Sequence, residues 1–254
     1  MQSYLIVSPG LIRQHAGTLA LARLCDKLKL KGFKAVMNYD VKDVKEYELA
    51  EHPITVFPEI FNNNHGAKKC VSWILNDQRV NTPFDIKFYW HKYTGDVPSD
   101  RLLSVDIIDH ELFNNENCEF RRWNAYYVGK GAPSEEHLGE VNEITFDYPA
   151  DKKELAMLLK KSVYLYTCDA MTNLISEACL VGTPVVFLEN KKYTKETFIK
   201  HMSNVGLNGV ALSNTQEEKD KAMKSVHLFK KDYADYFGQE DVQVDRFVEV
   251  TQNM

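Results

Sequence analysis

The chain lacks most of the features that mark specialised protein classes. No apolar run approaches the ~20 residues that cross a bilayer, so membrane contact is expected to be peripheral. Lys and Arg number 31 against 36 Asp and Glu, and the formal net charge is −5. That is not the basic excess of a nucleic-acid binder, and no nucleic-acid partner is expected. The five cysteines, Cys25, Cys70, Cys118, Cys168 and Cys179, are scattered without a C-x-x-C pair. The spacing indicates neither a zinc site nor a disulfide framework, and it suits a reducing, cytoplasmic setting. No G-x-G-x-x-G follows a strand, which argues against a nicotinamide dehydrogenase. No D-x-D stands between strands, and Asp96, Asp106 and Asp109 are not spaced as metal ligands. A metal-independent chemistry with no cofactor is the expectation.

What is present is an ordinary globular composition, 44% hydrophobic and 26% charged. The 254 residues suffice for one large domain or two compact ones of roughly 100–130 residues each. Tyr4–Ser8 reads as a strand, residues 15–31 as an amphipathic helix stopped at Gly32, and Lys34–Asn38 as a second strand. This βαβ unit implies a parallel sheet. Pro53–Phe57 predicts a strand, Ala67–Asn76 a helix, Phe84–Trp90 a strand, and Arg101–Ile108 a strand or extended connector. The pattern then restarts. Ala125–Gly129 and Glu143–Phe146 predict strands, and Ala150–Lys161 a helix with Leu155, Leu158 and Leu159 on one face. After residues 163–187, Thr194–Met202, Thr215–Tyr233 and Val242–Val250 predict helices, with a short strand at Gly209–Leu212. The fold class is therefore α/β with two Rossmann-like halves and a hinge within 110–122.

Residues 163–187 read as strand, acidic turn, helix, Gly-Thr-Pro break and strand. Asp169 and Glu177 lie eight positions apart around the helix start. If the segment between them is helical, they stand ~12 Å apart along the axis. A helix start attracts anions, and carboxylates beside it suit hydroxyl groups attached to the anion. A phosphate with sugars on both sides, a nucleotide sugar, fits that description. The plain alternative is that Asp169 merely caps the helix and Glu177 is a solvated face residue.

Glu177-Ala178-Cys179-Leu180-Val181-Gly182-Thr183-Pro184-Val185-Val186 resembles the E-A-x-x-x-G-x-P-V signature of GT-B glycosyltransferases, especially the retaining enzymes of family 4. The resemblance covers residues 124–212. It implies a GT-B fold, with Rossmann-like domains facing across a cleft: 1–115 on the acceptor side, 116–235 binding the nucleotide sugar, and a C-terminal helix, 236–254, packing back on the first. It implies that Glu177 binds the ribose and that Asp169, where the family usually has glutamate, contacts the donor sugar. The turn Gly129-Lys130-Gly131 matches the opening of the nucleotide-binding domain, with Lys130 holding the diphosphate and Arg121 or Arg122 as weaker candidates. Thr172 and Asn173 fall to the donor side. The implied activity is metal-independent, retaining transfer of a sugar from a nucleotide-diphosphate sugar to a saccharide or lipid-linked acceptor, in polysaccharide or glycan synthesis. The implied mechanism has the donor's own phosphate oxygen assist the acceptor hydroxyl. A GT-B epimerase of sugar nucleotides and a non-catalytic partner subunit are the alternatives.

The first half matches more loosely. His15 and Gly17 fall in or beside the first strand-to-helix loop, where such enzymes approach donor and acceptor. Asn64, in the polar stretch Pro58–Gly66, and His91, after a predicted strand, fit the acceptor side. A plain turn, an Asx turn and a packed histidine are their respective alternatives. Lys191, Lys192, Lys195, Lys200 and His201 form a basic cluster. It reads either as a solvated face or as a surface drawn to an anionic membrane carrying the acceptor.

Overall fold

A computed structural model describes residues 2–10, 16–62, 64, 66–75, 84, 86–91, 97–118 and 120–254. They fall into two compact units, Met1–Ile107 with Phe237–Met254, and Ile108–Tyr236. Each is an α/β unit built on a five-stranded sheet in which every strand pairs in parallel.

In the first unit the strands are β1 (Tyr4–Ile6), β2 (Ala35–Met37), β3 (Ile54–Pro58), β4 (Lys69–Ile74) and β5 (Ile86–Tyr89), in the order β2-β1-β3-β4-β5. Helix α1 (Ala16–Leu30) buries Ala20, Leu21, Leu24, Cys25 and Leu28, the face expected from its apolar spacing. A short helix, α2 (Val44–Glu51), stands where the sequence pattern gave no signal; the Asp43 side chain caps it by accepting the Glu46 amide.

The helix expected over 67–76 is instead β4. Val71, Ser72 and Trp73 are fully buried, and β4 lies between β3 and β5. A parallel interior strand is covered on both faces, so its apolar residues run together and lose the alternation that would mark a strand. The extended connector expected at 101–108 begins as a 3-10 turn at Ser99–Arg101 and continues into the buried stretch Leu102–Val105. The C-terminal helix α7 (Glu240–Gln252) belongs to this unit and fills its core with Val244 and Phe247. Phe247 meets Phe88 edge-on, with ring centroids 4.9 Å apart, and also contacts Tyr4. The Tyr4 hydroxyl and Thr251 Oγ1 share a hydrogen bond of 2.7 Å.

The second unit holds β6 (Trp123–Tyr127), β7 (Val141–Ile144), β8 (Ser162–Thr167), β9 (Val185–Phe187) and β10 (Val210–Ala211), ordered β10-β9-β8-β6-β7. Helices α3 (Lys152–Lys161), α4 (Leu174–Leu180), α5 (Lys195–Met202) and α6 (Gln216–Phe237) complete it, α6 running one residue past the unit's edge. The chain leaves β6 toward β7 and then returns through α3 to β8 on the opposite side of β6. The carboxyl ends of β6 and β8 are thus the switch point of this sheet, where α/β folds leave room for a ligand.

Truncating Phe247 should cost about 3–5 kcal/mol, the usual range for a buried phenylalanine. Urea unfolding of Phe247→Ala, followed by tryptophan fluorescence, measures it. An unchanged midpoint would mean that α7 adds nothing to the core of the first unit.

Candidate functional site

Two turns meet at the switch point. The turn after β6 is Gly129-Lys130-Gly131, and the turn after β8 carries Asp169. Asp169 is 1% exposed. Its Oδ2 accepts the Lys130 amide at 2.9 Å and its Oδ1 accepts the Met171 amide at 2.8 Å. The Asp169 amide in turn donates to Thr167 Oγ1 at 3.1 Å. A Cβ added at Gly131 would lie 2.1 Å from the Cys168 carbonyl oxygen, and one at Gly129, whose φ is +53°, would lie 2.5 Å from Asp169 Oδ2. Both glycines are demanded by this close approach.

Asn190, after β9, ties in a third strand end. Its Nδ2 donates to the carbonyls of Cys168 and Leu188, while its Oδ1 accepts amides of Ala132, Lys192 and Tyr193. Lys192 Nζ reaches the Lys130 carbonyl at 2.5 Å. The sequence signalled the basic cluster but not that it adjoins Lys130. Burial, with help from the charges of Lys130 and Lys200, pushes His201 down from 6.5 to about 4. Burial also raises the Tyr127 and Tyr193 hydroxyls, and the Asp169 charge adds to both.

Helix α4 is shorter than expected. Only Leu174–Leu180 is helical, so the ~12 Å spacing estimated for an unbroken helix from 169 to 177 does not apply. Residues 169–172 form a turn in which Thr172 Oγ1 accepts the Leu174 amide, and Thr172 also hydrogen-bonds Tyr127. Asn173 precedes the helix without a side-chain cap; its carbonyl accepts the Glu177 amide at 3.0 Å. Glu177 is not a solvated face residue. It is 4% exposed, and its Oε1 lies 2.5 Å from Lys152 Nζ on the first turn of α3.

The remainder of the 177–186 motif is a folding device. Thr183 Oγ1 donates to the Leu159 carbonyl at 2.7 Å, and the Pro184 carbonyl accepts the Leu165 amide. Arg121 spans this turn, donating to Thr183 Oγ1, to the Ser162 carbonyl at 2.7 Å and to the Val181 carbonyl at 2.7 Å. Its guanidinium thereby ties the turn between α4 and β9 to the start of β8. Arg122 is exposed at the entry to β6.

In the first unit, Gly17 lies in the first turn of α1 against Leu75. Asn64 is exposed and makes an Asx turn, Oδ1 accepting the Gly66 amide and Nδ2 donating to the Ala67 carbonyl. His91 packs on the Trp90 ring. His15 and Asp96 lie outside the described residues. Glu59, the residue after β3 and within the same polar stretch Pro58–Gly66, is a buried carboxylate that accepts the Leu75 amide at 3.0 Å.

No family model matches the chain, and no curated protein matches it. Among solved structures, the chain is similar to an alpha-glucosyltransferase in complex with UDP and a 13-mer DNA containing a central A:G mismatch. The identity is 11% and the TM-score 0.49, over 98% of this chain and 95% of that one. It is also similar to the spinosyn rhamnosyltransferase SpnG complexed with thymidine diphosphate, at 11% identity and a TM-score of 0.43, over the whole of both chains. The transcription regulator CcpA of Lactococcus lactis follows at 11% and 0.28, with 91% of each chain covered.

Two measurements test this geometry. Gly131→Ala should destabilise the protein by about 1–3 kcal/mol, because the added methyl has no room against a backbone carbonyl; calorimetric melting reads it. His201 should contribute acid sensitivity. Its folded value lies below its unfolded one, so the unfolded chain takes up the proton first as pH falls. The contribution is present above 6.5 and lost between 6.5 and about 4. Urea midpoints of His201→Gln should therefore fall less than those of the natural protein across that window. Parallel curves would refute the assignment.

Proposed function

We propose that the second unit binds the donor of a glycosyl transfer, a nucleotide-diphosphate sugar, and that the chain passes its sugar to a carbohydrate or lipid-linked acceptor. One observation carries this reading. At the switch point of a parallel sheet, a glycine-flanked lysine turn is held to the end of the neighbouring strand β8 by a buried carboxylate, and the next helix presents a second buried carboxylate in an E-A-x-x-x-G-x-P-V sequence.

The roles follow from chemistry. Lys130, with Lys192 beside it, places positive charge and backbone amides where a diphosphate would develop charge as it leaves. Asp169 holds the Lys130 turn in position, and it is the acidic residue assigned to the donor sugar. Glu177 accepts hydroxyl hydrogen bonds from the ribose. Gly129 and Gly131 let the backbone approach the ligand. Retention of configuration and independence from metal belong to the same reading, as do the acceptor-side roles of His15, Asn64 and His91, and the donor-side roles of Thr172, Asn173 and Gly17. The exposed Lys191, Lys192 and Lys200 offer a basic face for a peripheral contact with anionic lipid. No described helix is long and apolar enough to cross a membrane.

Calorimetric titration with UDP, GDP and dTDP tests the donor site. One of them should bind, and Glu177→Gln, which keeps side-chain shape, should weaken that binding by at least about tenfold, as expected for removing a charged hydrogen-bond acceptor. Binding by none of the three would overturn the reading. Mass spectrometry of donor and acceptor mixtures then distinguishes transfer from isomerisation of the donor.

A further inference from the structure

Lys152 stands in an unusual place. It opens α3, where Asp151 caps the helix by accepting the Glu154 amide and Glu154 Oε2 accepts the Ala150 amide. A cation is disfavoured at a helix N-terminus, where the dipole is already positive. The lysine is nonetheless held there, its ammonium 2.5 Å from Glu177 Oε1 and 5.6 Å from the centroid of the buried Phe113 ring. The exposures of the two partners differ sharply. The Glu177 side chain is 5% exposed and that of Lys152 is 36%. The Glu177 side chain takes no other hydrogen bond among the described residues, and its Oε2 is left for another donor.

We propose that Lys152 is a positioning residue of the nucleotide site: by pairing with one oxygen of Glu177, it neutralises the buried carboxylate and aims the other oxygen at the ribose hydroxyls. The proposal rests on the donor-site reading above. A buried carboxylate without a counter-charge is costly, and the Phe113 face limits where the lysine stem can lie. The pair therefore sets both the charge and the direction of the acceptor. An ordinary surface ion pair would do neither, since both partners would be free to turn into water.

The test is titration of UDP, GDP and dTDP into the natural protein and into Lys152→Met, Lys152→Arg, Glu177→Gln and the Lys152→Met/Glu177→Gln double variant, with a melting temperature for each. For the nucleotide that binds, Lys152→Met should weaken affinity by about tenfold or more, as removing the counter-charge of a buried carboxylate does. Lys152→Arg should stay within about threefold of the natural protein. The double variant should bind no more weakly than Glu177→Gln alone, because the lysine acts through the glutamate. A merely structural pair would lower the melting temperature and leave the affinity of the folded protein unchanged. If Lys152→Met does not fold, Lys152→Gln serves for the same comparison. Natural affinity in the lysine variant alongside loss in Glu177→Gln would overturn the role of Lys152 and leave the donor site standing. Absence of binding to the natural protein would overturn both.

Discussion

The Asp169 carboxylate joins two strand ends: one oxygen accepts the Lys130 amide, the other the Met171 amide. The neighbouring loops of the second unit are arranged around that carboxylate. It lets the β6 turn come within contact of the Cys168 carbonyl, which is why positions 129 and 131 are glycine. Asn190 then fastens the β9 end to the same place. A turn supported from three strands presents its amides and its lysine in one arrangement, and such preorganised donors suit developing negative charge.

The same segment shows how one motif divides its work. Glu177 carries ligand chemistry in the proposed reading. The Gly-Thr-Pro portion supplies backbone geometry, with Thr183 donating to the Leu159 carbonyl and Arg121 joining the Val181 carbonyl to the Ser162 carbonyl at the start of β8. A guanidinium suits that position because its fixed fork of N–H groups can serve several carbonyls at once. A resemblance carried by the whole motif therefore mixes residues kept for folding with residues available to a ligand.

Much of the architecture was legible in the sequence. Where a helix covered one face of a sheet, as α1 and α3 do, the apolar spacing located it. The pattern failed at β4, which is covered on both faces and so has no alternation, and at α2, whose buried face includes Glu48 rather than an apolar stripe. The candidate site was legible by residue type and less so by geometry. Motif and spacing pointed to Glu177, Asp169 and Lys130 as candidates. Lys152 and Asn190 were not, because the contacts that bring them to the site, Lys152 with Glu177 and Asn190 with Cys168 and Ala132, span more than twenty residues of chain.

By itself, the sequence determined the class: two α/β halves, the acidic turn, the Gly-Thr-Pro break and the candidate pair of carboxylates. Local propensity and apolar periodicity act over a few residues, and those features need no more. Only the tertiary structure decided what each carboxylate touches. Parallel pairing brings β6 beside β8, and so places Asp169 under the Lys130 turn, while packing of α3 on α4 places Lys152 on Glu177. Those contacts depend on strand order and helix docking, which residue spacing along the chain does not encode.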